Sequence, residues 1–236
     1  MISNTEAKEK KEKCLEDIRK VLHRYYSRLM HIDPRMWVYA EDIIRKDVDI
    51  HNIDEILGFR KFLRCLDTYD FNYEKVHTVY RAYELLKFSG LSGKRHYSLT
   101  PIQCFMLAGV FGFMKNGKRL VRDATYFIPR KFCKTTMGAF FQFWFFYFED
   151  ANSEGYCVAN SQDQSKILYN LAYDFIHQLD PDEKRIRFTA TEINWRLGQI
   201  RNAKIESLSA GGKTKDGLFA QLVTADEYGS AGYVKD

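Results

Sequence analysis

What this sequence lacks narrows it first. Its five cysteines (Cys14, Cys65, Cys104, Cys133 and Cys157) are odd in number, scattered and free of C-x-x-C spacing. A disulfide framework and a zinc site are therefore not expected, and a reducing cytoplasm is the natural setting. The six histidines show no ligand spacing and read as structural or surface groups. No apolar run is long enough for a membrane: residues 137–148 are almost wholly apolar, but a span needs ~20 residues, so a buried helix is expected there. The first 20 residues are charged, with no apolar signal core. Charge of one sign is scarce too. Lys and Arg number 36 against 31 Asp and Glu, a net +5 that permits a polyanionic partner without arguing for one. No internal repeat or low-complexity tract is present.

What remains is an ordinary globular composition, 45% hydrophobic and 28% charged. Its 236 residues suffice for one full domain with an appendage, or for two small domains. The aromatic share of 15% implies a bulky core.

Helical spacing dominates residues 1–90. Apolar positions at Cys14, Leu15, Ile18, Val21, Leu22 and Tyr25 predict a helix over 5–30, broken at Asp33-Pro34. Two more helices are expected over 36–66, parted near His51-Asn52. Another should run over 73–88, capped by Asn72. A Gly/Ser-rich joint at 89–93 then divides the chain into a helical region, 1–90, and an α/β domain, 91–236. Thr100-Pro101 opens a helix. Strands are predicted at 124–128, 155–159 and 219–225, with short strands or hairpins over 185–208. Helices are predicted over 134–148 and 161–179, the latter with Ile167, Leu168, Leu171 and Phe175 as its buried stripe. Strand–helix–strand order implies a mostly parallel sheet.

Two segments carry chemistry. Phe127-Ile128-Pro129-Arg130-Lys131-Phe132-Cys133-Lys134-Thr135-Thr136 follows a predicted strand and opens the apolar helix, as a phosphate (Walker A) loop does. Such a loop turns backbone N–H groups and a helix N-terminus toward phosphates; Lys adds a point charge and a hydroxyl ligates Mg²⁺. Lys134 and Thr135 suit those two roles. The glycines of G-x-x-x-x-G-K-[ST] are absent, Ile128 and Cys133 standing in their places. Cysteine where φ is often positive carries a conformational cost, so a somewhat altered loop path is expected. By itself a Lys-Thr after a strand is weak evidence, since it is more often a basic loop capping an ordinary helix.

The second segment, Leu222-Val223-Thr224-Ala225-Asp226-Glu227, reads as a strand delivering adjacent carboxylates to the sheet's C-terminal edge (Walker B). Asp226 could hold Mg²⁺ and Glu227 could polarise a water as general base. The bland alternative is a solvated acidic turn. The two segments in this order are much less easily accidental than either alone.

With these motifs the chain resembles the large terminase subunit of tailed bacteriophages, the motor that packages DNA, from about Phe71 onward. The resemblance rests on Phe71-Asn72-Tyr73, Ser98-Leu99-Thr100-Pro101-Ile102-Gln103 and Phe111-Gly112-Phe113 ahead of the loop. In the loop, Pro129, Arg130, Lys131, Lys134 and Thr135 match Pro-Arg-Lys-Asn-Gly-Lys-Thr, and Phe132-Cys133 depart from it. Val158-Ala159-Asn160-Ser161-Gln162-Asp163-Gln164, Leu208-Ser209-Ala210, Lys215-Asp216-Gly217-Leu218 and Asp226-Glu227 complete it.

The resemblance implies a P-loop NTPase-type fold and an ATP hydrolase using ATP and Mg²⁺. Gln103 would lie near adenine, with phosphates over Arg130, Lys131, Cys133, Lys134, Thr135 and Thr136. Thr135 and Asp226 would hold Mg²⁺, Glu227 would activate water, and Arg130 or Lys131 would offset transition-state charge. Implied partners are double-stranded DNA, a portal and a small terminase subunit, in a homo-oligomeric ring, with no membrane, in the cytoplasm of an infected bacterial host. Family members continue into a nuclease domain; nothing here matches it, so this stretch reads as the ATPase portion and no nuclease activity is expected from it. Two rival readings stand: a non-catalytic docking module on a nucleotide-binding fold, and a helicase-like ATPase of DNA metabolism.

Overall fold

Charged and apolar positions alternating at helical spacing build the first part of the molecule. The computed structural model describes residues 4–45, 50–90, 93–129, 132–159, 161–196, 201–209 and 219–226. Within them, helix α1 (Asn4–Val21) passes through one 3₁₀ turn (Leu22–Tyr25) into α2 (Tyr26–Ile32), so the helix expected over 5–30 is divided. Helix α3 (Pro34–Ile44) starts where proline occupies the first turn and the Asp33 carboxylate accepts the Arg35 N–H at 2.9 Å. Asn52 caps α4 (Ile53–Thr68) by accepting from Glu55 N–H at 2.8 Å. Strand β1 (Asp70–Phe71) then leads to α5 (Tyr73–Leu85), where Asn72 accepts from Lys75 N–H at 2.8 Å. The helix expected to reach residue 88 stops at Leu85 because β2 (Phe88–Gly90) pairs with β3 (Gly93–Arg95).

Helix α6 (Pro101–Phe111), strand β4 (Phe113–Lys115) and strand β5 (Lys118–Arg119) complete this unit. Helix α6 packs on α3 and α5, while β4 lies between β1 and β5 in a small antiparallel sheet. Compact units accordingly part between Thr125 and Tyr126, beyond the Gly/Ser joint where composition changes. The joint is spent on a hairpin, and the helix after it returns to the N-terminal core. Leu29, Ile32, Met36, Phe59, Val79 and Leu107 lie in that core.

The second unit contains α7 (Lys134–Phe148), β6 (Glu154–Ala159), α8 (Gln162–His177), β7 (Ile186–Phe188), β8 (Glu192–Trp195), β9 (Lys204–Ser209) and β10 (Leu222–Ala225). Its sheet runs β10-β6-β9-β8-β7, with β10, β6 and β9 parallel and β8 and β7 antiparallel additions. The sheet is thus mixed rather than mostly parallel. Helix α8 supplies a long crossover between β6 and β9, but the three residues between β7 and β8 allow only a hairpin. Helix α7 packs on β10 and β6, α8 on β6 and β9, and the two helices on each other. The protein is therefore a mixed α/β chain with a helical N-terminal region.

Three further expectations change. Residues 121–129 join no strand, although 124–128 is apolar enough to suggest one. Tyr126 and Ile128 are half-buried, Tyr126 stacking on Phe141 at 6.3 Å, while Phe127 is 100% exposed. Apolar composition there reflects one-sided packing and no ladder. On α8 the buried apolar set is Leu168, Tyr169, Ala172, Phe175 and Ile176, and Ile167 is 57% exposed. Consecutive residues differ by ~100° around a helix, which puts Ile167 beyond the covered face. On α7, Phe140, Phe143, Phe145 and Phe146 are buried as expected, but Phe148 in the last turn is exposed and stacks on Trp144 at 4.5 Å. Among the described residues no helix is long and apolar enough to cross a membrane.

Candidate functional site

Helix α7 owes its position to its apolar body and to one side-chain-free and one buried polar position. Met137, Phe140, Phe143 and Phe146 are buried. Gly138 lets the helix approach β10, since a Cβ there would come within 2.8 Å of Thr224 Cγ2. One turn on, the fully buried Gln142 donates from Nε2 to Tyr156 O at 3.0 Å and to Thr224 Oγ1 at 3.0 Å. Its Oε1 has no hydrogen-bond partner. A buried amide tolerated in this way ties the helix to two strands at a net worth of about 1 kcal/mol per bond.

That packing brings the N-terminus of α7 to the C-terminal end of β10. Asp226 N–H donates to Val158 O at 3.0 Å, extending the parallel ladder one residue past the strand. Thr135 Oγ1 donates to Asp226 Oδ2 at 2.6 Å, and Lys134 Nζ stands 3.9 Å from Asp226 Oδ1. The two sequence segments therefore meet at Lys134, Thr135 and Asp226. The Asp226 side chain is only 16% exposed and that of Lys134 30%. The first-turn N–H groups of a helix have no intrahelical acceptor and present partial positive charge.

Cys133 precedes this turn with φ 58° and ψ 23°, the left-handed region. An altered path at this point was expected from the missing glycine; instead cysteine adopts the conformation glycine favours, at a cost of ~1–2 kcal/mol. Its thiol is exposed. Cys104 and Cys157 are buried, and burial pushes each thiol up to about 12, which makes them poor nucleophiles.

A hydroxyl and a carboxylate are hard oxygen donors of the kind Mg²⁺ takes. An ammonium beside a helix N-terminus suits phosphate. Among the described residues, no group of three or more His, Cys, Asp or Glu gathers to hold a metal. The donor set at Lys134, Thr135 and Asp226 thus fits Mg-nucleotide.

The remaining expected site residues are placed differently. Gln103 lies in the first unit, in the opening turn of α6, where its Oε1 accepts from Thr100 N–H at 2.9 Å and Thr100 Oγ1 at 3.0 Å. Thr136 is half-buried in the first turn of α7. Arg130, Lys131 and Glu227 lie outside the described residues. Sequence reasoning missed Gln142 and Thr224. The signal was a lone amide inside a phenylalanine-rich run and a lone hydroxyl inside an apolar strand.

Comparison with known proteins adds one finding. A family model described as terminase large subunit, ATPase domain, matches residues 101–233, more than half of the chain. No curated protein and no solved structure gives a match.

Proposed function

The chain belongs to the terminase large subunit ATPase domain family, and from that premise we propose that it binds Mg-ATP at Lys134, Thr135 and Asp226 and hydrolyses it as part of a DNA-packaging motor. The observation that carries this reading is the 2.6 Å hydrogen bond joining Thr135 to Asp226 across 91 residues of chain. In a P-loop-type ATPase these are the hydroxyl and carboxylate that share the metal.

On this reading Lys134 holds the β- and γ-phosphates and leaves Asp226 when they arrive. Thr135 and Asp226 would hold Mg²⁺, which supplies charge neutralisation on the phosphate oxygens. Glu227, next after Asp226, orients water for in-line attack and accepts its proton. Arg130, with Lys131, offsets charge on the transferring phosphoryl group. Cys133 and Thr136 flank Lys134 and Thr135 where the loop enters α7. Work from hydrolysis drives double-stranded DNA into a capsid, in a ring seated on a portal and served by a small subunit, within the infected host's cytoplasm.

Glu227→Gln tests the chemistry. A general base contributes about 10²–10⁴ in rate, so phosphate release should fall at least a hundredfold while Mg-ATP still protects the exposed Cys133 thiol from alkylation. Unchanged turnover in the variant, or a thiol equally reactive with and without Mg-ATP, would refute the reading.

A further inference from the structure

The chain's mild net charge hides a strong local one. Between Glu84 and Asp123 there is no acidic residue, yet seven Lys and Arg. That exceeds the net +5 of the whole protein, so the remainder is slightly acidic. Two hairpins display these cations. Lys94 and Arg95 lie exposed on β3, and Lys115 and Lys118 lie exposed at the tip of β4–β5, with Arg122 exposed just beyond.

The β4–β5 hairpin is built to hold its tip out. Its turn residues Asn116 and Gly117 both have positive φ (52° and 72°), the backbone that closes a two-residue hairpin. Its root is anchored by the buried Phe113, whose ring meets Phe62 at 5.0 Å and Phe71 at 5.1 Å. Lys115 and Lys118 face each other directly across the two strands. Like charges in that position destabilise a hairpin. Surfaces shaped for solubility intersperse the signs. Arg19, Arg28, Arg35 and Arg60 in the preceding helices do so, each pairing with Asp or Glu. Arg95, Lys115, Lys118 and Arg122 have no acidic partner among the described residues.

The two hairpins stand at opposite ends of one helix pair. Leu99 N–H donates to Glu84 Oε1 at 3.0 Å at one end of α5–α6, and Asn72 N–H donates to Gly112 O at 2.8 Å at the other. Eleven residues of α6 rise ~16 Å at ~1.5 Å each, close to half of the ~34 Å turn of duplex DNA. We propose that this acid-free stretch is a phosphate-contacting surface for duplex DNA, with the Lys115/Lys118 hairpin tip as its principal contact. The choice of duplex DNA among polyanions rests on the packaging reading; the cationic surface does not depend on the nucleotide site.

The test uses the whole chain without nucleotide and a fluorescein-labelled 30-base-pair duplex, with anisotropy titrations from 50 to 200 mM NaCl. Each phosphate contact contributes about 0.9 to the slope of log K against log salt. Lys115→Gln/Lys118→Gln should therefore lower the slope by roughly 2 and weaken binding about tenfold or more at the lowest salt. Its melting temperature should be unchanged or raised, since the like-charge pair is gone. Lys10→Gln/Lys13→Gln on α1 removes the same charge elsewhere and should leave the slope nearly unchanged. Equal slopes for the parent and the hairpin variant, or an equal drop in the α1 variant, would overturn the proposal. So would displacement of the duplex by polyglutamate, charge for charge, which would assign the surface to an acidic protein. Loss of Mg-ATP binding with this result intact would strike only the nucleotide reading.

Discussion

Replacing Cys133 with glycine should stabilise the protein, and the size of the effect follows from one backbone angle. At φ 58° and ψ 23° an L-residue sits in the left-handed region. There a side chain costs about 1–2 kcal/mol. Glycine escapes that cost but adds freedom to the unfolded chain, giving back about 0.4–1 kcal/mol. The difference leaves Cys133→Gly more stable by about 0.5–1 kcal/mol. The thiol is exposed, so no packing is lost with it. Cys133→Ala keeps the Cβ and therefore the strain, and should match the parent within about 0.5 kcal/mol. Urea unfolding of the three proteins reads both differences. If the glycine variant is no more stable than the alanine variant, residue 133 does not occupy the left-handed region in solution, and the account of the loop is wrong.

Further outcomes are expected elsewhere. Gln142→Met loses two hydrogen bonds but also removes an orphaned buried oxygen, so stability should change by no more than about 1 kcal/mol. Mg²⁺ dependence of ATP affinity should nevertheless weaken, because α7 is no longer pinned to β10. Thr224→Val should share that defect and Thr224→Ser should not; identical metal dependence in all three would contradict the alignment role. For the buried Asp180, burial works against ionisation, but N–H donors of Arg185, Ile186 and Lys184 outweigh it and hold the carboxyl below the usual range. Asp33 is likewise lowered, with burial overcome by hydrogen bonds from Arg35. A depressed folded value means that both contribute fully above the unfolded value of ~3.9 and lose that contribution as pH falls through the folded value. Stability should thus be flat in these two groups from about pH 5 to 8 and fall below about pH 4. Asp180→Asn should flatten the acid limb in a pH series of urea midpoints; an unaltered limb would show that Asp180 is not among its causes.

The sequence disclosed most where a local rule had one answer. Asp33-Pro34, Asn52, Asn72, Thr100-Pro101 and Ser161 each mark a helix start, since capping chemistry lies within three residues of the boundary. Helix α7 is found over 134–148, the range its apolar run suggests. Lys134, Thr135 and Asp226 were legible because a strand end and a helix start carry the same chemistry wherever they meet. Less was legible where the deciding partner was remote. Whether 124–128 pairs depends on a neighbouring strand edge, and composition records only its apolar character. The antiparallel β7–β8 pair falls within the short strands or hairpins expected over 185–208, but its addition to the edge of the parallel strands had no local signal. Gln142 and Thr224 had no local signal as a pair, being 82 residues apart and joined only by the sheet.

The central claim is that Lys134, Thr135 and Asp226 form one Mg-ATP site, and calorimetric titration of Mg-ATP into this chain tests it most directly. Lys134→Ala and Asp226→Asn are titrated beside it. The account predicts binding by the parent, loss of at least tenfold (about 1.4 kcal/mol) in Lys134→Ala, and affinity in Asp226→Asn that no longer responds to Mg²⁺. Equal binding in all three proteins, or a parent that binds nothing, would contradict it.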